Sequence, residues 1–87
     1  MITVIIPAVL RDLCGGTAKL VIAATTVDGL LRAVEERCPG FYDRVVEHGH
    51  VRPELMFALD GEVVSLALHD TLRPGAEIAI VPAMAGG

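Results

Sequence analysis

Apolar positions along the chain follow two rhythms, and the change from one to the other marks its elements. Residues 2–6 (Ile-Thr-Val-Ile-Ile) are all β-branched and Pro7 ends them, which predicts a first strand. After a connection over residues 8–16, Cys14-Gly15-Gly16 offers the positive φ of a turn, and residues 18–23 supply an antiparallel partner. The period then lengthens. Val27, Leu30, Leu31, Val34 and Cys38 recur at helical spacing, with Arg32, Glu35 and Glu36 on the opposite face. Thr25 or Thr26 caps the start, Asp28 sits in the first turn, and Pro39-Gly40 stops the helix. Gly29 inside it costs about 1 kcal/mol relative to Ala, which burial of the apolar stripe must exceed.

Phe41 to Glu47 reads as one further helical turn, and Glu47-His48-Gly49-His50 as a polar, flexible loop. Period two returns at Leu55–Leu59, which turns through Asp60-Gly61 into Glu62–Val64, the favoured hairpin chemistry. Arg73-Pro74-Gly75 is another tight turn, and Glu77–Val81 is a last strand closed by Pro82. One main helix on one face of a mixed sheet of four to five strands is an α+β fold of the β-grasp, ubiquitin-like type. Residues 1–82 form that domain, and residues 83–87 are a flexible tail.

Composition narrows the function. Of 87 residues, 53% are hydrophobic but only Phe41, Tyr42 and Phe57 are aromatic, so the core is aliphatic and no stacking surface for single-stranded nucleic acid is present. Seven basic residues against eleven acidic ones give a net charge of −4 without a basic run, which argues against a nucleic-acid partner. Arg11, Asp12, Lys19 and Asp28 interrupt every apolar stretch before the length of a membrane span, and the N-terminus lacks the features of a signal peptide. These readings predict a cytoplasmic protein that binds no membrane. Cys14 and Cys38 fit neither a redox nor a zinc spacing, so two reduced thiols are expected. His48 and His50 lack further ligands nearby and read as solvated loop residues, with no metal site.

The end of the chain carries the chemistry. After Pro82 come Ala83-Met84-Ala85-Gly86-Gly87, an uncharged segment of small residues, with Met84 the exception, following directly on an apolar strand. Gly averages roughly 7% of residues, so two in succession at a terminus rarely arise by chance. The chain resembles the ubiquitin-like sulfur-carrier proteins, a group containing the small subunit of molybdopterin synthase, the thiamine sulfur carrier and the carrier of one cysteine biosynthesis route. The resemblance lies in Ile6-Pro7-Ala8-Val9-Leu10-Arg11, Gly15-Gly16, Thr26-Val27-Asp28-Gly29-Leu30-Leu31, Leu59-Asp60-Gly61-Glu62 and the run from Leu72 through Pro82 to Gly87. The Gly-Gly terminus with its preceding Pro is the specific element. Met56 and Asp60 stand where many members carry Asn, and the opening segment is closer to the molybdopterin and cysteine branches than to the shorter thiamine carriers.

The resemblance implies a carrier and co-substrate, not an enzyme. A terminal carboxylate is ionised at neutral pH and a poor electrophile. A ubiquitin-activating-type enzyme would use ATP and Mg²⁺ to adenylate Gly87, a sulfur donor would convert it to a thiocarboxylate, and a sulfur-accepting synthase or large subunit would receive the sulfur. No cofactor would be held permanently by the chain itself. Gly86 and Gly87 lack a Cβ and can enter a narrow channel, while residues 83–87 reach about 17 Å when extended at ~3.4 Å each. Strand alternation turns Ile2, Val4, Ile6, Leu55, Phe57, Leu59, Ile78 and Ile80 toward the helix. Ile5, Met56, Ala58, Ala79 and Val81 then face away. With Pro82, Ala83, Met84 and Ala85 they form the expected partner-binding surface. The alternatives are a ubiquitin-like modifier conjugated through Gly87 and a β-grasp interaction module whose Gly-Gly is incidental.

Overall fold

The computed structural model describes residues 1–82. Seven strands are β1 (Ile2–Ile5), β2 (Lys19–Ile22), β3 (Val46–Glu47), β4 (His50–Val51), β5 (Leu55–Leu59), β6 (Glu62–Val64) and β7 (Glu77–Pro82), and two α-helices are α1 (Val27–Arg37) and α2 (Phe41–Val45). Five of the strands form one mixed sheet in the order β2-β1-β7-β5-β6. The central pair β1 and β7 is parallel, with Ile5 opposite Ala79, and the other ladders are antiparallel. This is the expected β-grasp architecture.

Helix α1 begins as the sequence dictates. The hydroxyl of Thr26 accepts from the N–H of Gly29 at 3.1 Å, and Asp28 lies in the first turn, where its charge opposes the helix dipole favourably. Gly29 also has a steric reason, because a Cβ there would stand 3.1 Å from the Thr26 hydroxyl and crowd the cap. Val27, Leu30, Leu31 and Val34 are fully buried against Ile2, Val4, Ile6, Phe57, Ile78 and Ile80 of the sheet's inner face, so one apolar stripe meets one apolar face.

The β5–β6 turn places both Asp60 (φ 51°) and Gly61 (φ 88°) in the left-handed region, the geometry of a two-residue hairpin. Asp60 does more than turn the chain. Its carboxylate accepts from the N–H of Glu77 at 2.9 Å and from the Arg73 guanidinium at 2.8 Å, tying the hairpin to the start of β7.

Three expectations change. Residues 8–14, read as an irregular connection, form a 3-10 helix over Ala8–Cys14 that ends at Gly15 with φ 64°. The segment 47–50, read as a flexible loop, is the turn of a small hairpin, with Val46 opposite Val51 and Glu47 opposite His50. His48 (φ 54°) and Gly49 (φ 77°) make that turn, and buried Val46 anchors it to the core. Cys14 and Cys38 are not free thiols but a disulfide, their Cα atoms 4.6 Å apart. Sequence spacing could not reveal the pairing, because it arises where the 3-10 helix packs against the C-terminal cap of α1.

Candidate functional site

The expected docking residues can be placed through the strand ladders. On β1, β5 and β7, buried Val4, Phe57, Ile78 and Ile80 alternate with partly exposed Ile5, Met56, Ala58, Ala79 and Val81. The latter therefore share the face turned away from α1. Register assembles them into two rows. Ile5, Ala79 and Ala58 lie side by side across β1, β7 and β5, and Met56 lies opposite Val81 in the next row. The first row extends to Lys19 on β2 and to Val63 on β6, a residue that is 58% exposed. The sequence reading did not single out Val63, although its period-two relation to the Asp60-Gly61 turn carries that signal. The centre of the row is two alanines, flanked by the larger Ile5 and Val63, so the strip is shallow in the middle and uncharged between Lys19 and the β6 edge.

Pro82 is exposed and pairs with Leu55 at the end of β7. Because β1 and β7 are parallel, the C-terminal ends of both strands lie at the same edge of the sheet. The 3-10 helix that follows β1 therefore leaves the sheet at the edge where β7 ends. Ala83, Met84, Ala85, Gly86 and Gly87 lie outside the described residues. Near Leu55, a cavity of about 490 Å³ opens among the β3–β4 hairpin, the start of β5 and residues 64–69, with Met56, Leu66 and His69 among its walls. Arg52 at this cavity is already engaged. Its guanidinium donates to the carbonyl of Asp43 at 2.7 and 3.1 Å and faces Glu47 at 3.5 Å.

The charged groups on the helical side brace the fold. The Tyr42 hydroxyl donates to Asp28, Arg32 donates to the same carboxylate at 2.8 Å, and the Arg32 guanidinium lies 4.6 Å from the Tyr42 ring centre. The bonds from Tyr42 and then Arg32 hold the Asp28 carboxyl below its ordinary range, while burial and then Asp28 push the Tyr42 hydroxyl up. Glu35 accepts from the N–H groups of Tyr42 at 2.8 Å and Gly40 at 3.0 Å, which lowers its pKa and fixes the corner between α1 and α2. Among the described residues no cluster of three or more His, Cys, Asp or Glu is arranged to hold a metal ion, and no helix is long and apolar enough to cross a membrane.

Comparison with known proteins adds what the geometry alone does not carry. No curated protein matches significantly. A chain in the crystal structure of the Amycolatopsis orientalis BexX/CysO complex is 30% identical, with full coverage of both chains and a TM-score of 0.89. Mycobacterium tuberculosis CysO, described as an antigen, is 22% identical over 97% of this chain and 100% of its own, with a TM-score of 0.87. SAMP1 from Haloferax volcanii is 24% identical over 99% and 98% of the two chains, with a TM-score of 0.70, a likeness of fold. The model of the ThiS family matches residues 4–87, so the β-grasp domain and the Gly-Gly end are covered together. The chain belongs to the ThiS family, the ubiquitin-like sulfur carriers.

Proposed function

We propose that this protein carries sulfur as a thiocarboxylate on Gly87. The carboxylate is adenylated at the expense of ATP by a ubiquitin-activating-type enzyme that holds Mg²⁺, and a sulfur donor displaces AMP. The thiocarboxylate then attacks an electrophilic biosynthetic intermediate, of the molybdopterin or cysteine type, in a synthase or large subunit. The observation that carries this reading is the continuity of β7, whose outward residues Ala79 and Val81 lead to Pro82 and directly into Ala83-Met84-Ala85-Gly86-Gly87, within a family match that reaches Gly87. A thiocarboxylate sulfur is an anionic nucleophile at neutral pH, as a thiolate is. It needs no catalytic side chain from the carrier.

The outer strip Ile5, Ala79, Ala58 with Met56 and Val81 is the docking surface in this reading. Apolar area beside Pro82 lets a partner hold the domain while Ala83, Met84 and Ala85 span the distance to its active site. Similarity to a chain of a complex between CysO and BexX supports a protein partner of this kind.

The deciding experiment is intact-mass analysis of the cellular protein, and of purified protein given an activating enzyme, ATP and a sulfide donor. Exchange of one oxygen for sulfur at the terminus, abolished by deleting Gly87 without loss of folding, is the expected result. Attachment of the terminus to lysines of other proteins, with no thiocarboxylate formed, would instead identify a modifier.

A further inference from the structure

The Cys14–Cys38 disulfide joins two elements that hydrogen bonds scarcely connect. Cys14 is the last residue of the 3-10 helix, and Cys38 caps α1 through its N–H to the Val34 carbonyl at 2.8 Å. The 3-10 helix is otherwise held mainly by local bonds. Arg11 donates to the Ile6 carbonyl at 2.9 Å, and the N–H groups of Gly15, Gly16 and Thr17 return to Asp12, Arg11 and Cys14. Its anchors to the core are buried Leu10 and partly buried Leu13 and Cys14. Ala8 and Val9 are exposed, Val9 by 77%, which is unusual for a large apolar side chain.

The two cysteines are not equally exposed. Cys38 is 1% exposed, while Cys14 is open in part to solvent. We propose that this bond is a thiol-exchange site with a fixed direction of attack, at which low-molecular-weight thiols and dithiol reductants enter at Cys14. An external thiolate attacks the Cys14 sulfur, the S–S bond breaks, and the electron pair leaves with Cys38, whose thiolate takes a proton. The product is a mixed disulfide on Cys14. A second external thiolate then attacks that mixed disulfide, giving the free Cys14 thiol and one oxidised dimer of the external thiol, so two electrons pass from two thiols to the protein. Reduction detaches the 3-10 helix from α1 at the edge of the sheet where β7 ends, and leaves the sheet and the α1 core in place. The redox state thereby sets how firmly exposed Ala8 and Val9 are held near the Pro82 root. The inference does not depend on sulfur transfer.

Two measurements on the full chain test it. The wild-type protein, given a brief pulse of glutathione under native conditions, quenched with acid and alkylated in denaturant, should yield at least tenfold more of the species with glutathione on Cys14 and an alkyl group on Cys38 than of the reverse species. Under oxidised glutathione, Cys38→Ala should take up one glutathione at Cys14, whereas Cys14→Ser should resist modification in its folded state. Equal amounts of the two mixed disulfides, or glutathione mainly on Cys38, would overturn the direction of attack. Hydrogen exchange supplies the structural arm: on reduction the amides of Gly15, Gly16 and Thr17 should exchange at least tenfold faster through local opening, while those of Leu30, Leu31 and Val34 should speed only by the factor that the loss of global stability sets. Exchange at Gly15–Thr17 that is the same in both redox states would overturn the proposed release.

Discussion

Replacing Cys14 by Ser isolates the contribution of the cross-link to stability. Position 14 is partly open to solvent, so the new hydroxyl can be hydrated, and Cys38 keeps its buried thiol, so no cavity opens in the core. What remains is the constraint on the unfolded chain. The bonded residues are 24 positions apart, and closing a loop of that length removes about 12 cal/mol/K of unfolded-state entropy, or about 3.5 kcal/mol at room temperature. For a domain of this size each kcal/mol moves the melting temperature by about 4–8 °C, so Cys14→Ser should melt roughly 20 °C below the oxidised wild type. Urea unfolding followed by circular dichroism gives the free energy directly. The wild type measured in excess reductant should match the variant, and the slope of free energy against urea should rise in both, because an uncross-linked unfolded chain exposes more surface. A loss below about 1 kcal/mol, in a wild type shown by mass to be fully oxidised, would refute the entropic reasoning.

Asp60→Ala removes the acceptor for the Glu77 N–H and leaves an ordinary side chain at φ 51°, so it should cost about 2–3 kcal/mol in urea unfolding. Asp60→Asn tolerates that conformation and keeps an acceptor, losing only an exposed ion pair to Arg73, and should cost under about 1 kcal/mol; equal costs would defeat this account. Asp28 and Glu35 both have pKa values lowered by folding, so the unfolded chain binds more protons in acid and stability is present above the ordinary carboxylate range and lost as pH falls through the lowered values. The double variant Asp28→Asn, Glu35→Gln should flatten the dependence of the urea midpoint between about pH 5 and pH 2, and an unaltered slope there would refute it. Met56→Asp should change stability by less than about 1 kcal/mol, because the residue faces away from α1. The same substitution should reduce adenylation by the partner enzyme by tenfold or more; unimpaired adenylation would remove the strip from the docking surface.

The parts of the fold legible in sequence are those decided by neighbours along the chain. The Asp60-Gly61 hairpin needs two consecutive positive φ values, and α1 needs a cap and a period, so both could be located to the residue or nearly so. The elements that were missed depend on distant partners. His48-Gly49 forms a turn because Val46 is buried in the core and Val51 pairs with it, and neither fact is written in the four polar residues 47–50. The 3-10 helix over Ala8–Cys14 has one buried side chain, Leu10, too few to impose a readable period. The disulfide required knowing that this helix meets the end of α1. In the candidate site the same division holds: strand parity gave Ile5, Met56, Ala58, Ala79 and Val81 a common face, Val63 joins them through its pairing with Ala58, and the cavity beside Leu55 forms only where the β3–β4 hairpin and residues 64–69 come together.

The two faces of the sheet differ in burial, and the proposed docking reading gives them opposite tasks. Every strand residue buried to a few percent on β1, β5 and β7 points at α1, so stability is concentrated where no partner needs to reach. The outward residues of the same strands contribute little to that core, and their identities are free to be set by recognition. Alanines at 58 and 79 are informative in this light. A sheet face evolved only for β propensity would favour larger β-branched residues at its centre, and a face meant to stay in water would favour charge. Small apolar residues there, with the larger Ile5 and Val63 at the flanks of the same row, suit the proposed contact with a partner's apolar side chain. In the proposed reading, docking on this face would orient the carrier through rigid strands, leaving Ala83, Met84 and Ala85 to bridge to the partner's reacting centre.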